Sequence, residues 1–186
     1  MKDQKGFTLI ELLVVAAIIG ILLALAIPNL LKARISSNEA NARKAMQVLR
    51  DAEALYANQD LNNDGVFNYT DIIGNITTTN SLICPATPCE PLDTLIDSSF
   101  ENAVATGATA QCLDSKAGYC IQYDSALSGS TDFDFGWQTS MQAFNITGRK
   151  DFSVYGDGTI RCTLSTSSTN TAGTFQADRN SHGCDD

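Results

Sequence analysis

The sequence predicts an α+β chain, with one long N-terminal α-helix packed against an antiparallel β-sheet of about four strands. Three observations point there. Phe7 to Ile27 is a run of 21 residues in which Glu11 is the only charge. As a helix it rises about 31 Å, the thickness of a bilayer core, so the first half of the helix is read as transmembrane. From Ile35 the apolar and small residues recur at steps of three and four, and from Lys116 they alternate with period two.

The helix is expected from Thr8 to about Asn58. Residues 7–31 form its hydrophobic half and residues 32–58 its amphipathic half. Ile35, Asn38, Ala42, Ala45, Leu49, Ala52 and Tyr56 make a stripe for packing against a globular domain. Lys32, Arg34, Glu39, Arg43, Lys44, Arg50, Asp51 and Glu53 are assigned to the solvent side. Pro28 removes one backbone hydrogen bond and loosens the helix there. Glu11 stands out, because a carboxylate in a membrane segment costs on the order of 2.5–3.5 kcal/mol and marks a functional residue.

Residues 59–115 form a connecting region. Its first part, Asp60-x-Asn62-x-Asp64-Gly65-x-Phe67-Asn68-x-x-Asp71, places oxygen ligands at positions 1, 3, 5, 9 and 12 of a calcium loop. Gly65 takes the sharp turn, and Val66 offers a carbonyl at position 7. The loop resembles the dockerin variant of the EF-hand, with Asp71 in place of the bidentate glutamate. The competing reading is a solvated Asn-Asp-Gly turn leaving the helix. Calcium is the sole cofactor considered. Further on, Cys84-Pro-Ala-Thr-Pro-Cys89 and Pro91 suggest a clipped surface loop, and Leu92 to Phe100 a short helix.

Residues 116–164 read as the sheet. Gly118 to Tyr123 is one strand. Phe133, Phe135, Trp137, Thr139, Met141 and Ala143 alternate with polar residues, a strand with one buried face. Phe152 and Val154 precede the turn Gly156-Asp157-Gly158, and Ile160, Cys162 and Leu164 return. Residues 165–186 are a Ser/Thr/Asn/Gly-rich tail.

All six cysteines follow the apolar run, which reads as disulfides in an oxidising compartment. Six cysteines allow 15 connectivities; the expected one is sequential, Cys84–Cys89, Cys112–Cys120 and Cys162–Cys184. Net charge is −9, and from Gln59 onward 16 Asp and Glu face five Lys and Arg. That half has no electrostatic footprint for nucleic acid. His182 is the only histidine, no nucleophile–base spacing is recognisable, and the chain is not expected to be an enzyme. Lys2 and Lys5 place the N-terminus in the cytoplasm and the rest in the periplasm.

Gly6-Phe7-Thr8-Leu9-Ile10-Glu11, followed by Leu12-Leu13-Val14-Val15, resembles the class III signal of type IV prepilins and pseudopilins. Ala26-Ile27-Pro28-Asn29 and Leu31 to Ile35 resemble the type IVa pilin helix, and Lys116 to Tyr119 with Gly148 to Arg161 resembles the pilin C-terminal sheet. The resemblance implies a leader of residues 1–6, cut between Gly6 and Phe7 by a prepilin peptidase that also methylates the Phe7 amine. It implies that Glu11 pairs with the Phe7 amine of a neighbouring subunit, and that the helix melts near Pro28 on assembly. The implied function is a structural subunit of a type IV pilus. The implied partners are further copies of the chain in a helical homopolymer and an inner-membrane assembly platform with its ATPase. The alternatives are a pseudopilin of a type II secretion system and a minor tip pilin acting as adhesin or receptor.

Overall fold

A computed structural model describes residues 6–86, 88–89, 93–127, 131–166 and 172–182. The chain forms two units, one ending at Arg34 and the other beginning at Ile35. Helix α1 runs unbroken over Leu9–Gln59, with Pro28 inside it. Near the proline, Asn29 Nδ2 donates to the Leu25 carbonyl at 3.1 Å.

In the second unit, α1 buries Ile35, Ala42, Ala45, Met46, Leu49, Ala52 and Tyr56. The expected stripe is therefore the packed face, with Asn38 half-buried and donating to the Thr147 carbonyl. One core cluster joins Met46, Leu49 and Tyr56 to Ile121, Trp137, Phe152 and Val154. The sheet is a four-stranded antiparallel meander in the order β1-β2-β3-β4. Its strands are β1 (Tyr119–Tyr123), β2 (Gly136–Met141), β3 (Lys150–Tyr155) and β4 (Ile160–Leu164).

Register explains the faces. Thr139 lies opposite Ile121 and Phe152, and Trp137 opposite Tyr123 and Val154, so these side chains share the apolar face. Residues 59–115 have no strand among the described residues, yet Ile73, Leu82, Ile83, Ile96 and Phe100 enter the same core. Two backbone bonds, Leu82 N–H to the Ile72 carbonyl and Ile83 N–H to the Ile73 carbonyl, hold that segment together.

Four expectations need correction. Glu53 is not on the solvent side: it is fully buried, because it lies four residues after Leu49 and three before Tyr56 and so shares their face. The strand expected from Phe133 starts only at Gly136, and Phe133 is 88% exposed. Asp134 Oδ1 accepts from both the Phe135 and Gly156 amides, which turns the chain before the ladder begins. The expected helix at 92–100 is a 3-10 turn over Ser98–Ala103, started by the Asp97 carboxylate accepting from the Ser99 amide; Leu92 and Pro91 lie outside the described residues.

The fourth correction concerns β2, which is buried on both faces rather than one. Its second face carries Gln138 and Ser140, beside Asp151 and Ser153 of β3, and the tail segment 172–182 lies across them. Gly173 N–H donates to the Met141 carbonyl at 2.8 Å, and the Ala110 amide donates back to the Gly173 carbonyl at 2.7 Å. Gln138 Nε2 reaches the Ala177 carbonyl, and the Gln176 amide donates to Asp151 Oδ2. A Cβ on Gly173 would collide with Ser140 Oγ, so only glycine lets the tail approach this closely. Hydrogen bonds to the sheet thus hold the described tail segment 172–182 against β2 and β3. Cys84–Cys89 and Cys112–Cys120 are formed. Cys162 is disulfide-bonded, and its expected partner Cys184 lies outside the described residues.

Asp151 makes the tail contact pH-sensitive. Burial pushes its carboxyl up to about 7, against the opposing hydrogen bonds from Ser140 Oγ (2.6 Å) and the Gln176 amide (3.1 Å). A folded pKa above the unfolded value means stability is full below about 4 and is lost as pH rises through about 7. Asp151→Asn keeps the shape and mimics the neutral acid. Thermal unfolding at pH 4 and pH 8 is expected to show a fall of a few kcal/mol in the wild type, with a smaller fall in the variant. Equal pH slopes would refute this.

Candidate functional site

The predicted processing and assembly residues Gly6, Phe7, Glu11 and Pro28 all lie in the first unit. Every described side chain from Gly6 to Arg34 is exposed, including Phe7 at 91%. The exposed apolar residues run from Leu9 to Leu31. An apolar surface this continuous is not left in water; it requires lipid or other apolar helices around it. By length and composition α1 is long and apolar enough to cross a membrane.

Glu11 is tied to the start of this helix. The Thr8 amide donates to Glu11 Oε2 at 2.8 Å, and Thr8 Oγ1 donates to the same oxygen at 2.7 Å. In return the Glu11 amide donates to Thr8 Oγ1 at 3.3 Å. The Thr8 carbonyl accepts the first intrahelical bond, from Leu12. This is a reciprocal capping box, with Thr8 as the cap and Glu11 three residues on. It satisfies amides that would otherwise stay unpaired at a helix terminus. Thr8 had been missed as a functional residue, although Thr8-x-x-Glu11 before an apolar run is the sequence signature of that motif. Both bonds to the carboxylate fall on Oε2. Among the described residues, Oε1 has no partner and is exposed.

Glu11 thus commits one carboxylate oxygen to the helix start and leaves the other unengaged among the described residues.

Residues 1–27 match the model of the prokaryotic N-terminal methylation motif. The chain is 48% identical over 50 residues to the type IV major pilin protein PilA of Myxococcus xanthus, covering 27% of this chain and 23% of that one. It is 64% identical over 39 residues to the type IV wide pilus major component PilA4 of Thermus thermophilus, covering 21% and 30%. A fimbrial protein of Pseudomonas aeruginosa is 79% identical over 29 residues, covering 16% and 19%. The N-terminal segment is similar to that of these type IV pilins. The matched stretches span less than a third of each of these three relatives. No solved structure matches the chain.

Gly6, Phe7, Glu11 and Pro28 are thus strung along the first unit, with Pro28 far down the helix from Glu11, while the predicted calcium-loop residues Asp60, Asn62, Asp64, Val66, Asn68 and Asp71 lie in the second unit, after the end of α1. Asp60, Asn62 and Asp64 form one tight turn. Gly65 follows at φ +82°, and the Gly65 amide donates to Asp60 Oδ2 at 3.1 Å. The Val66 carbonyl accepts from the Asn68 amide. The charge of Asp71 acts on Glu53 and Tyr123.

Proposed function

We propose that this chain is the structural subunit of a type IV pilus. The observation that carries the reading is the capped Glu11 at the head of an exposed apolar helix, directly behind a Gly6–Phe7 junction. In the proposed cycle, Lys2 and Lys5 hold the leader in the cytoplasm while the second unit sits in the periplasm. A prepilin peptidase cuts after Gly6 and methylates the Phe7 amine. An ATP-driven platform then moves the subunit from the inner membrane into the filament, where apolar helices replace lipid around residues 9–31.

Glu11 Oε1 pairs there with the Phe7 ammonium of a neighbouring copy. Paired charges at the head of the helix remove most of the desolvation penalty and fix the axial register. Pro28 weakens the helix where subunits are drawn into the bundle. The subunit acts as a polymer building block rather than a catalyst, and its acidic second unit forms the filament surface.

The test is to shear filaments from cells and identify their bulk component by N-terminal sequencing. The expected result is this chain, starting at methylated Phe7. Filaments in which it is a trace component would indicate a minor tip pilin, and its recovery only with a secretion apparatus would indicate a pseudopilin. Either finding overturns the proposal.

A further inference from the structure

The turn that follows α1 has no part in the filament reading, and it carries two oxygens that nothing among the described residues satisfies. Asp60 Oδ1 and Asn62 Oδ1 are both buried and both lack a hydrogen-bond partner. Leaving a buried acceptor unpaired costs about 1–3 kcal/mol, so two such atoms within one turn call for a donor or a cation. Among the described residues no donor reaches them. A carboxylate and an amide oxygen at this spacing are positions one and three of an oxygen-donor cation loop.

The other polar atoms of the turn are engaged in shaping it. Asp60 turns its second oxygen, Oδ2, to the Gly65 amide at 3.1 Å, which leaves Oδ1 aimed elsewhere. Asn62 Nδ2 donates to Asp64 Oδ2 at 2.7 Å, which leaves the amide oxygen Oδ1 as the Asn62 side-chain atom without a partner among the described residues. Asp64 Oδ1 accepts from the Val66 amide at 2.8 Å. Gly65 sits at φ +82°, where a side chain would be strained. The side chain of fully buried Tyr56, from the last turns of α1, lies beside the loop, within reach of the charges of Asp64 and Asp60.

We propose that this turn binds one calcium ion, with Asp60 Oδ1, Asn62 Oδ1 and the Asp64 carboxylate as its core ligands and the Val66 carbonyl and Asn68 beside them. The donor set is all oxygen. Cys and His are absent from residues 60–71, which disfavours zinc, copper and nickel. Irregular loops of carboxylate, amide and carbonyl oxygen suit calcium, whereas magnesium demands near-octahedral geometry and keeps its waters. Among the described residues Asp60, Asp64 and Asp71 do not group around one point, so the proposed core is built from the residues of the turn and leaves Asp71 out. An ion at this position would pin the end of α1 to the segment that leads into the core at Ile73.

The proposal does not depend on the filament reading and is tested on the full-length chain in detergent micelles. Calorimetric titration with calcium chloride is expected to show one ion per chain, with a dissociation constant on the order of 10⁻⁴–10⁻³ M, the range of extracellular calcium modules. Millimolar calcium should raise the unfolding temperature relative to EGTA, and equal magnesium should not. Asp60→Asn and Asp64→Asn keep the shape of the turn and are expected to weaken binding at least about tenfold, the loss of roughly 1.4 kcal/mol per charge-bearing ligand. Far-ultraviolet circular dichroism checks that each variant folds. No calcium heat and no shift in the wild type overturns the proposal. So does wild-type affinity in both folded variants, which would place the ion elsewhere.

Discussion

Glu11→Ala is expected to leave the subunit in the membrane and to cut filament yield by about an order of magnitude or more. Insertion is not at risk, since removing a carboxylate from the segment favours the bilayer by about 2.5–3.5 kcal/mol. The loss falls on the two bonds that Glu11 makes or can make. Its cap to Thr8 is worth about 1 kcal/mol, too little to melt a helix embedded over some twenty apolar residues. Its free Oε1 is the larger matter, because an apolar filament core with an unpaired Phe7 ammonium bears an uncompensated charge. Two companion variants separate these contributions. Thr8→Ala removes the hydroxyl side of the cap and keeps the carboxylate, so its filament yield should stay close to wild type. Glu11→Gln keeps an acceptor for the Thr8 amide but loses the charge, and should fail like alanine. Membrane fractionation and sheared-filament yield measure both properties. Equal failure of Thr8→Ala would show that the residue acts as a cap alone.

How far the fold was legible depends on what each element needed. A helix of 51 residues was readable because its apolar run and its three-and-four stripe are long, and long periodic signals average out local exceptions. The meander was readable from the Gly156-Asp157-Gly158 turn and the alternation around it. Glu53 was misplaced by residue type, since a charge is ordinarily assigned to water even where its spacing puts it on the buried face. The second face of β2 was hidden for a different reason. Gln138, Ser140, Asp151 and Ser153 look like a solvent side, and only the tail 172–182, remote in sequence, turns them into an interior. The segment 60–115 gave no periodicity because its core contributions, such as Ile73, Leu82 and Phe100, are anchored by isolated hydrogen bonds rather than by a ladder. At the assembly site the residue types were legible, while the capping role of Thr8 needed the side-chain geometry to draw notice.

Glu53→Ala is expected to destabilise the second unit by about 3–5 kcal/mol, a large share of the 5–15 kcal/mol typical of a domain. Glu53 is the only charged side chain α1 buries completely, and two donors from different elements converge on it. Trp137 Nε1 of β2 donates to Oε1 at 2.7 Å, and the Thr70 amide donates to Oε2 at 3.1 Å. The residue thus fastens three separate pieces of chain: the helix, the sheet and the segment after the turn at residues 60–65. Alanine strands both N–H groups in a dry site, at about 1–3 kcal/mol each, and adds a cavity. Burial raises the Glu53 carboxyl to about 8, with the two hydrogen bonds opposing, so much of it stays protonated at pH 7. Glu53→Gln therefore resembles the native state in shape and charge. It leaves only one N–H without an acceptor and should cost about 1–3 kcal/mol. Trp137→Phe removes one of the two donors, and in the Glu53→Ala background its further cost should be well below its cost alone. Denaturant unfolding of the four species gives that coupling energy directly. Strict additivity would mean that the Trp137–Glu53 bond contributes nothing, and that the helix and sheet are held by apolar packing alone.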